Sequence, residues 1–153
     1  MPADVQIRPV RPDDFVAWQP LWDGYNAFYG RVGATALPEE ITRTTWTRFF
    51  DGYEPMHALV AESGGALLGL VHYLYHRSTT ALGPNCYLQD LYTAPAARGR
   101  GVARALIQSV YERAQADRCA RVYWQTQEGN TTARRLYDQV ADLSGFIVYR
   151  KVF

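Results

Sequence analysis

The clearest periodicity in the chain lies between Val102 and Ala116. There Val102, Ala103, Leu106, Ile107, Val110, Tyr111 and Ala114 recur at three- and four-residue steps, the spacing that lines one face of an α-helix. A second such stretch, Asn130 to Val140, sets Ala133, Leu136, Tyr137 and Val140 on one face. Extended patterns fill much of the rest. Val5 to Val10 alternates weakly, and Met56 to Glu62 and Ala66 to Tyr75 flank Gly64-Gly65 as the arms of a hairpin. Cys86 to Thr93 reads as a strand stopped by Pro95, Arg121 to Thr126 as another, and Phe146 to Val152 as a closing strand. Asp13 and Asp14 suit the start of a helix running toward Tyr29, with Pro20 expected to interrupt it. Pro38-Glu39-Glu40 opens a further helix that reaches Phe49 or Phe50. Early hairpin pairing followed by a strand-helix-strand crossover predicts an α/β fold: a mixed, largely antiparallel sheet with helices on both faces.

The 153 residues contain no repeat, low-complexity tract or linker, so one domain spanning 1–153 is expected. Composition changes this picture little. The formal net charge is +1, but six Arg stand against ten Asp and Glu up to residue 97, and ten Lys and Arg against five acids after it. That asymmetry suits a cationic substrate on one part and an anionic cofactor on the other, although a mixed surface produces it equally well. Two cysteines without a CxxC spacing fit a reducing cytoplasm, and no apolar run has membrane-spanning length. The N-terminal MPADVQIRPVRPDD lacks the apolar core of a signal peptide. His72 and His76 share a metal-pair spacing only on a helix, and here they fall in an expected strand. Structural histidines are expected, with no metal.

Chemistry concentrates where the strand ending at Thr93 gives way to the helix at Val102. In Arg98-Gly99-Arg100-Gly101-Val102-Ala103-Arg104, the first helical amides lack intrahelical partners. With the helix dipole they form a site for phosphate. Gly99 and Gly101 permit close backbone approach, and Arg98, Arg100 and Arg104 can add charge-assisted bonds. The turn lacks the Lys and Ser/Thr of a P-loop and the third Gly of a dinucleotide fingerprint. A polar loop capping a helix would look the same if it stood alone.

It does not stand alone. Arg98-x-x-Gly101-x-Ala103, between Leu-Tyr-Thr-Ala-Pro and a long helix, resembles the acetyl-CoA-binding motif of the GNAT superfamily of N-acetyltransferases. The segment Trp124 to Tyr137 is similar to the family's second half, with Asn130 opening a helix and Tyr137 seven residues on. Tyr87-Leu-Gln-Asp-Leu-Tyr-Thr is similar to the same strand in spermidine/spermine N-acetyltransferases and yeast histone/polyamine acetyltransferase-like proteins. It departs from their acidic pair, since Gln89 replaces the first acid and only Asp90 remains.

The resemblance implies acetyl-CoA as acyl donor, held in a cleft between splayed strands. The backbone of Leu91, Tyr92 and Thr93 would hold its pantetheine arm, with Gly99, Gly101, Val102 and Ala103 at the pyrophosphate. Asn130 and Ala133 would lie along the arm, although Asn130 is equally suited to plain N-capping. Tyr137 is implied as the general acid for the departing thiolate, and Asp90 or Glu128 as the base. Asp23, Tyr25, Tyr29, Gln89 and Trp124 are candidates for the acceptor pocket, each also explicable as helix or strand packing. The implied reaction is direct attack of a primary amine, on a small molecule or on a peptide or protein, within a ternary complex. The alternatives are a catalytically inactive acyl-CoA-binding regulatory module, or a nucleic-acid binder using Arg113, Arg118 and Arg121 beside the turn. The arginines spread round the helix and the net charge is near zero, so no nucleic-acid partner is expected. The resemblance also implies a homodimer: many members carry two strands after the last helix where this sequence offers one, Phe146 to Val152, and a subunit partner could supply the other.

Overall fold

The computed structural model describes residues 4–153. Strands β1 (Gln6–Pro9), β2 (Met56–Ser63), β3 (Ala66–His76), β4 (Asn85–Thr93) and β5 (Arg121–Tyr123) form one sheet in the order β1-β2-β3-β4-β5. All neighbours are antiparallel except β4 and β5, which run parallel across the α3 crossover. Helices α1 (Phe15–Phe28) and α2 (Glu39–Arg48) precede the hairpin, and α3 (Val102–Ala116) and α4 (Thr131–Val140) follow it.

The period of two in the strands sorts residues to opposite faces. Leu59, Ala61 and Val71 pack with Leu106, Ile107 and Val110 of α3. Val60 and Leu70 point the other way, into Trp18, Trp22 and Trp46 of α1 and α2. Tyr25 stacks on Trp22 at 5.4 Å, extending this aromatic layer along α1. Gly69 fixes how closely α3 approaches: a Cβ there would lie 2.8 Å from the Tyr92 carbonyl oxygen and 3.1 Å from Val102.

Three expectations fail. Pro20 does not interrupt α1, which runs through it. The proline removes its bond to the Val16 carbonyl, but Val16 is exposed, so water can serve that oxygen. The closing strand Phe146–Val152 does not form; after a bend at Ala141 the chain carries no helix or strand to Phe153. Its apolar residues stand exposed. β5 also stops at Tyr123, where its pairing with Tyr87 is the last with β4.

Candidate active site

That early stop creates the site. β4 continues to Thr93 after β5 has left it, so the strands part and a cleft of about 670 Å³ opens between them. Leu91, Tyr92 and Thr93 form one wall, α4 the opposite one through Asn130, Ala133 and Tyr137, and the start of α3 the floor. Tyr25 and Tyr29 of α1 border it as well.

The turn before α3 has the geometry an anion needs. Gly101 occupies the N-cap with φ 78°, a left-handed conformation that favours glycine, and no side chain caps the helix. The amides of Val102 and Ala103 therefore remain available at the positive end of α3. Gly99 also has positive φ, at 75°, with no atom within 4 Å of where a Cβ would sit. Arg98 is held in place by donating to the Thr93 carbonyl at 3.2 Å and lying over the Tyr92 ring. Arg104 lines the cleft and reaches across to Gln139 of α4, while Arg100 is exposed and outside the lining. Thr93 Oγ1 is buried and without a hydrogen-bond partner. A buried hydroxyl in that condition is costly unless a ligand satisfies it. Uncapped amides and an orphaned hydroxyl along one cleft fit a phosphate-bearing, amide-rich ligand such as acetyl-CoA.

Asn130 sits at the N-cap of α4 but does not cap it; its amide donates to Thr126 Oγ1 at 3.4 Å. The side chain is thus not committed to the helix it opens. Tyr137 faces the cleft, edge-on to Trp124 at 5.3 Å. Burial pushes its phenol up to about 12, with Tyr29 adding a smaller rise.

On the other face of β4 lies a second cavity of about 170 Å³. A β-bulge connects the two. His72 pairs with Asp90 but Tyr73 with Leu88, leaving Gln89 as the extra residue. The bulge reverses the alternation, so Cys86, Leu88 and Leu91 share the α3 face while Asp90 and Tyr92 turn toward α1. Asp90 is buried, and Gln89 and Asp90 both line the small cavity. Trp18 donates its indole N–H to His72 Nε2 at 3.0 Å. His72 Nδ1 therefore carries the hydrogen and donates it to Asp90 at 2.9 Å. Tyr25 feels the same carboxylate: burial first, and then Asp90, raise its hydroxyl pKa. The hydrogen bond from His72 thus orients the Asp90 carboxylate and leaves lone pairs for the cavity.

Some sequence candidates lie elsewhere. Glu128 is exposed in the loop before α4 and lines neither cavity; only its carbonyl is engaged, by Arg134. Asp23 is exposed because α1 turns Trp18, Leu21, Trp22 and Tyr25 inward. Trp124 supports Tyr137 without lining either cavity. His72 is the hydrogen-bonded histidine that was expected, held between Trp18 and Asp90, and it also lines the small cavity; its pairing with Asp90 depends on the β3–β4 register. His76 engages Tyr123 and the Arg77 carbonyl.

A parted parallel strand pair over an uncapped, glycine-turned helix defines an acyl-CoA N-acyltransferase site. Residues 18–141 match the acetyltransferase (GNAT) family, and the chain belongs to it. It is an acetyl-CoA-dependent N-acetyltransferase that acts on amines. It is 34% identical to the D-amino-acid N-acetyltransferase HPA3 of Saccharomyces cerevisiae, over 96% of this chain and 90% of that protein. It is also 34% identical to the thialysine N-epsilon-acetyltransferase of Mus musculus, over 53% of this chain and 52% of that one. In fold it is similar to a probable acetyltransferase (TM-score 0.84, 22% identity, 97% of each chain covered). It also matches AAC(6')-Iy bound to a CoA bisubstrate analogue (TM-score 0.81, 15% identity, 97% and 98% covered).

Proposed function

We propose that this enzyme acetylates a small primary amine with an apolar body, amino acids among them, by direct attack in a ternary complex. The observation that carries this reading is the small cavity: about 170 Å³, walled by Trp22, Ile41, Phe49, Met56 and Leu74, with Asp90 as its only carboxylate. A compact cation suits that space better than a polyamine, which needs further acids along its length. The relative acting on D-amino acids supports the same class.

In this reading Asp90, positioned by His72, receives the ammonium and takes up its proton. The freed nitrogen attacks across β4, where Leu91 borders the cofactor cleft one residue away. The Leu91 backbone polarises the thioester carbonyl. As the C–S bond breaks, Tyr137 protonates the departing thiolate, and the second proton that the nitrogen sheds in becoming an amide restores the Tyr137 phenol. Thr93, Asn130, Ala133 and the turn from Arg98 to Arg104 hold the acetyl-CoA. The protein acts as a single domain and a homodimer. Two unpaired thiols, one of them buried, support a cytoplasmic setting.

The test is release of coenzyme A thiol in the presence of L- and D-amino acids, thialysine and spermidine, at equal concentration. Amino acids or thialysine should give the highest kcat/KM. Spermidine as the best acceptor, or acceptors confined to proteins, would overturn the assignment of the small cavity.

A further inference from the structure

Arg8, Arg43 and Arg48 each have a carboxylate partner. Arg31, in the turn after α1, is half-buried and has none among the described residues. It is nevertheless held in place. Its Nε donates to Asn26 Oδ1 at 2.7 Å, and Asn26 is itself buried and anchored by donating to the Trp22 carbonyl. The guanidinium carbon lies 5.8 Å from the Tyr25 ring centre and 5.3 Å from that of Tyr29. Both terminal nitrogens are left without a hydrogen-bond partner among the described residues. A helix end gains from positive charge nearby but does not require a fixed fork, and ordering so long a side chain costs rotamer freedom.

One stack of rings joins this cation to the small cavity. Trp22 walls the cavity, Tyr25 stacks on Trp22, and Arg31 lies over Tyr25. Asp90 lines the same cavity. The Tyr25 hydroxyl feels both charges: burial first raises its pKa, Asp90 adds to the rise, and Arg31 opposes it. A carboxylate and a guanidinium therefore flank a single side chain. An α-amino acid carries an ammonium, a carboxylate and a side chain on one carbon, which match Asp90, Arg31 and the apolar walls.

We propose that Arg31 is a specificity-determining residue: its terminal nitrogens bind the carboxylate of an α-amino acid acceptor, with the ammonium at Asp90 and the side chain in the small cavity. This rests on the reading of that cavity as the amine site. A guanidinium meets a carboxylate with two parallel N–H bonds, which the point charge of a lysine cannot reproduce.

The test compares leucine, leucinamide and isopentylamine, which share one side chain, by release of coenzyme A thiol. Wild-type kcat/KM should be about 10–100-fold higher for leucine than for the other two. In Arg31→Met that preference should disappear, chiefly through KM for leucine, and Arg31→Lys should restore part of it. Calorimetric affinity for acetyl-CoA should stay within a few-fold of wild type in both variants. A wild type without the preference, or Arg31→Met with it undiminished, would overturn the proposal. So would a loss of acetyl-CoA affinity matching the loss in kcat/KM, which would assign Arg31 to a cofactor phosphate. A loss equal on leucine and isopentylamine would remove Arg31 alone and leave the amine site standing. Spermidine outrunning all three in wild type would overturn both readings. If Arg31→Met proves misfolded, the wild-type ratio and Arg31→Lys still decide.

Discussion

Tyr137 both packs within its helix face and borders the cleft, and the proposed acid role rests on that double placement. Its helix face is the apolar one, and Trp124 meets it edge-on. The same burial that raises its pKa to about 12 keeps the phenol protonated wherever the enzyme works. Tyr137→Phe retains the ring and its packing but removes the proton. It should lower kcat by about 10²–10⁴-fold and leave the acetyl-CoA dissociation constant within a few-fold of wild type, measured by calorimetry beside steady-state kinetics. Unchanged turnover would refute the acid role. At this scale the sequence singled out Tyr137, Asn130 and the glycine turn, which line one cleft in the structure, because each belongs to a local motif. It could not identify His72, whose meaning comes from Trp18 and Asp90, distant in the chain and brought together by sheet register.

Among the elements, α3 was legible to the residue. Its apolar stripe, its left-handed Gly101 start and the following polar break all lie in one continuous stretch. The β5 boundary was not, since Trp124 to Thr126 remain strand-like in composition yet have no β4 partner once the cleft opens. The tail misleads for a related reason: a run of apolar and β-branched residues signals a strand without supplying the neighbour it must pair with. The start of α3 carries a specific expectation. Gly101→Glu would place a carboxylate and a Cβ, in a left-handed conformation, where amides face the ligand. Calorimetric binding of acetyl-CoA should be lost while the thermal transition stays cooperative. Affinity equal to wild type would remove the turn from the cofactor site.

For the molecule as a whole, pH acts through a residue far from the chemistry. His57 of β2 is half-buried against Tyr73, with ring centroids 5.1 Å apart. Desolvation holds its imidazole below the ordinary 6.5; Arg113 acts in the same direction and Asp117 opposes them. The folded protein thus resists a proton that the unfolded chain accepts. Stability from this group is intact above pH 6.5 and declines as pH falls below it. His57→Phe should flatten the decline in melting temperature between about pH 6.5 and pH 5, read by calorimetry. An identical slope in the variant would show that other groups govern acid sensitivity.

The bulge at Gln89 gives β4 a change of parity. Before it, even-numbered side chains belong to the α3 core; after it, Leu91 does, and even-numbered Asp90 and Tyr92 belong to the other side. A one-residue deletion at Gln89 would therefore not turn the strand inside out. It would make Leu88 and Asp90 chain neighbours, and plain alternation would still set Leu88 and Leu91 toward α3 and Asp90 toward α1. What the surplus residue adds is the local bend and extra twist that a bulge gives its strand, just where β4 parts from β5. Losing it would straighten β4 and leave each side chain on its own face.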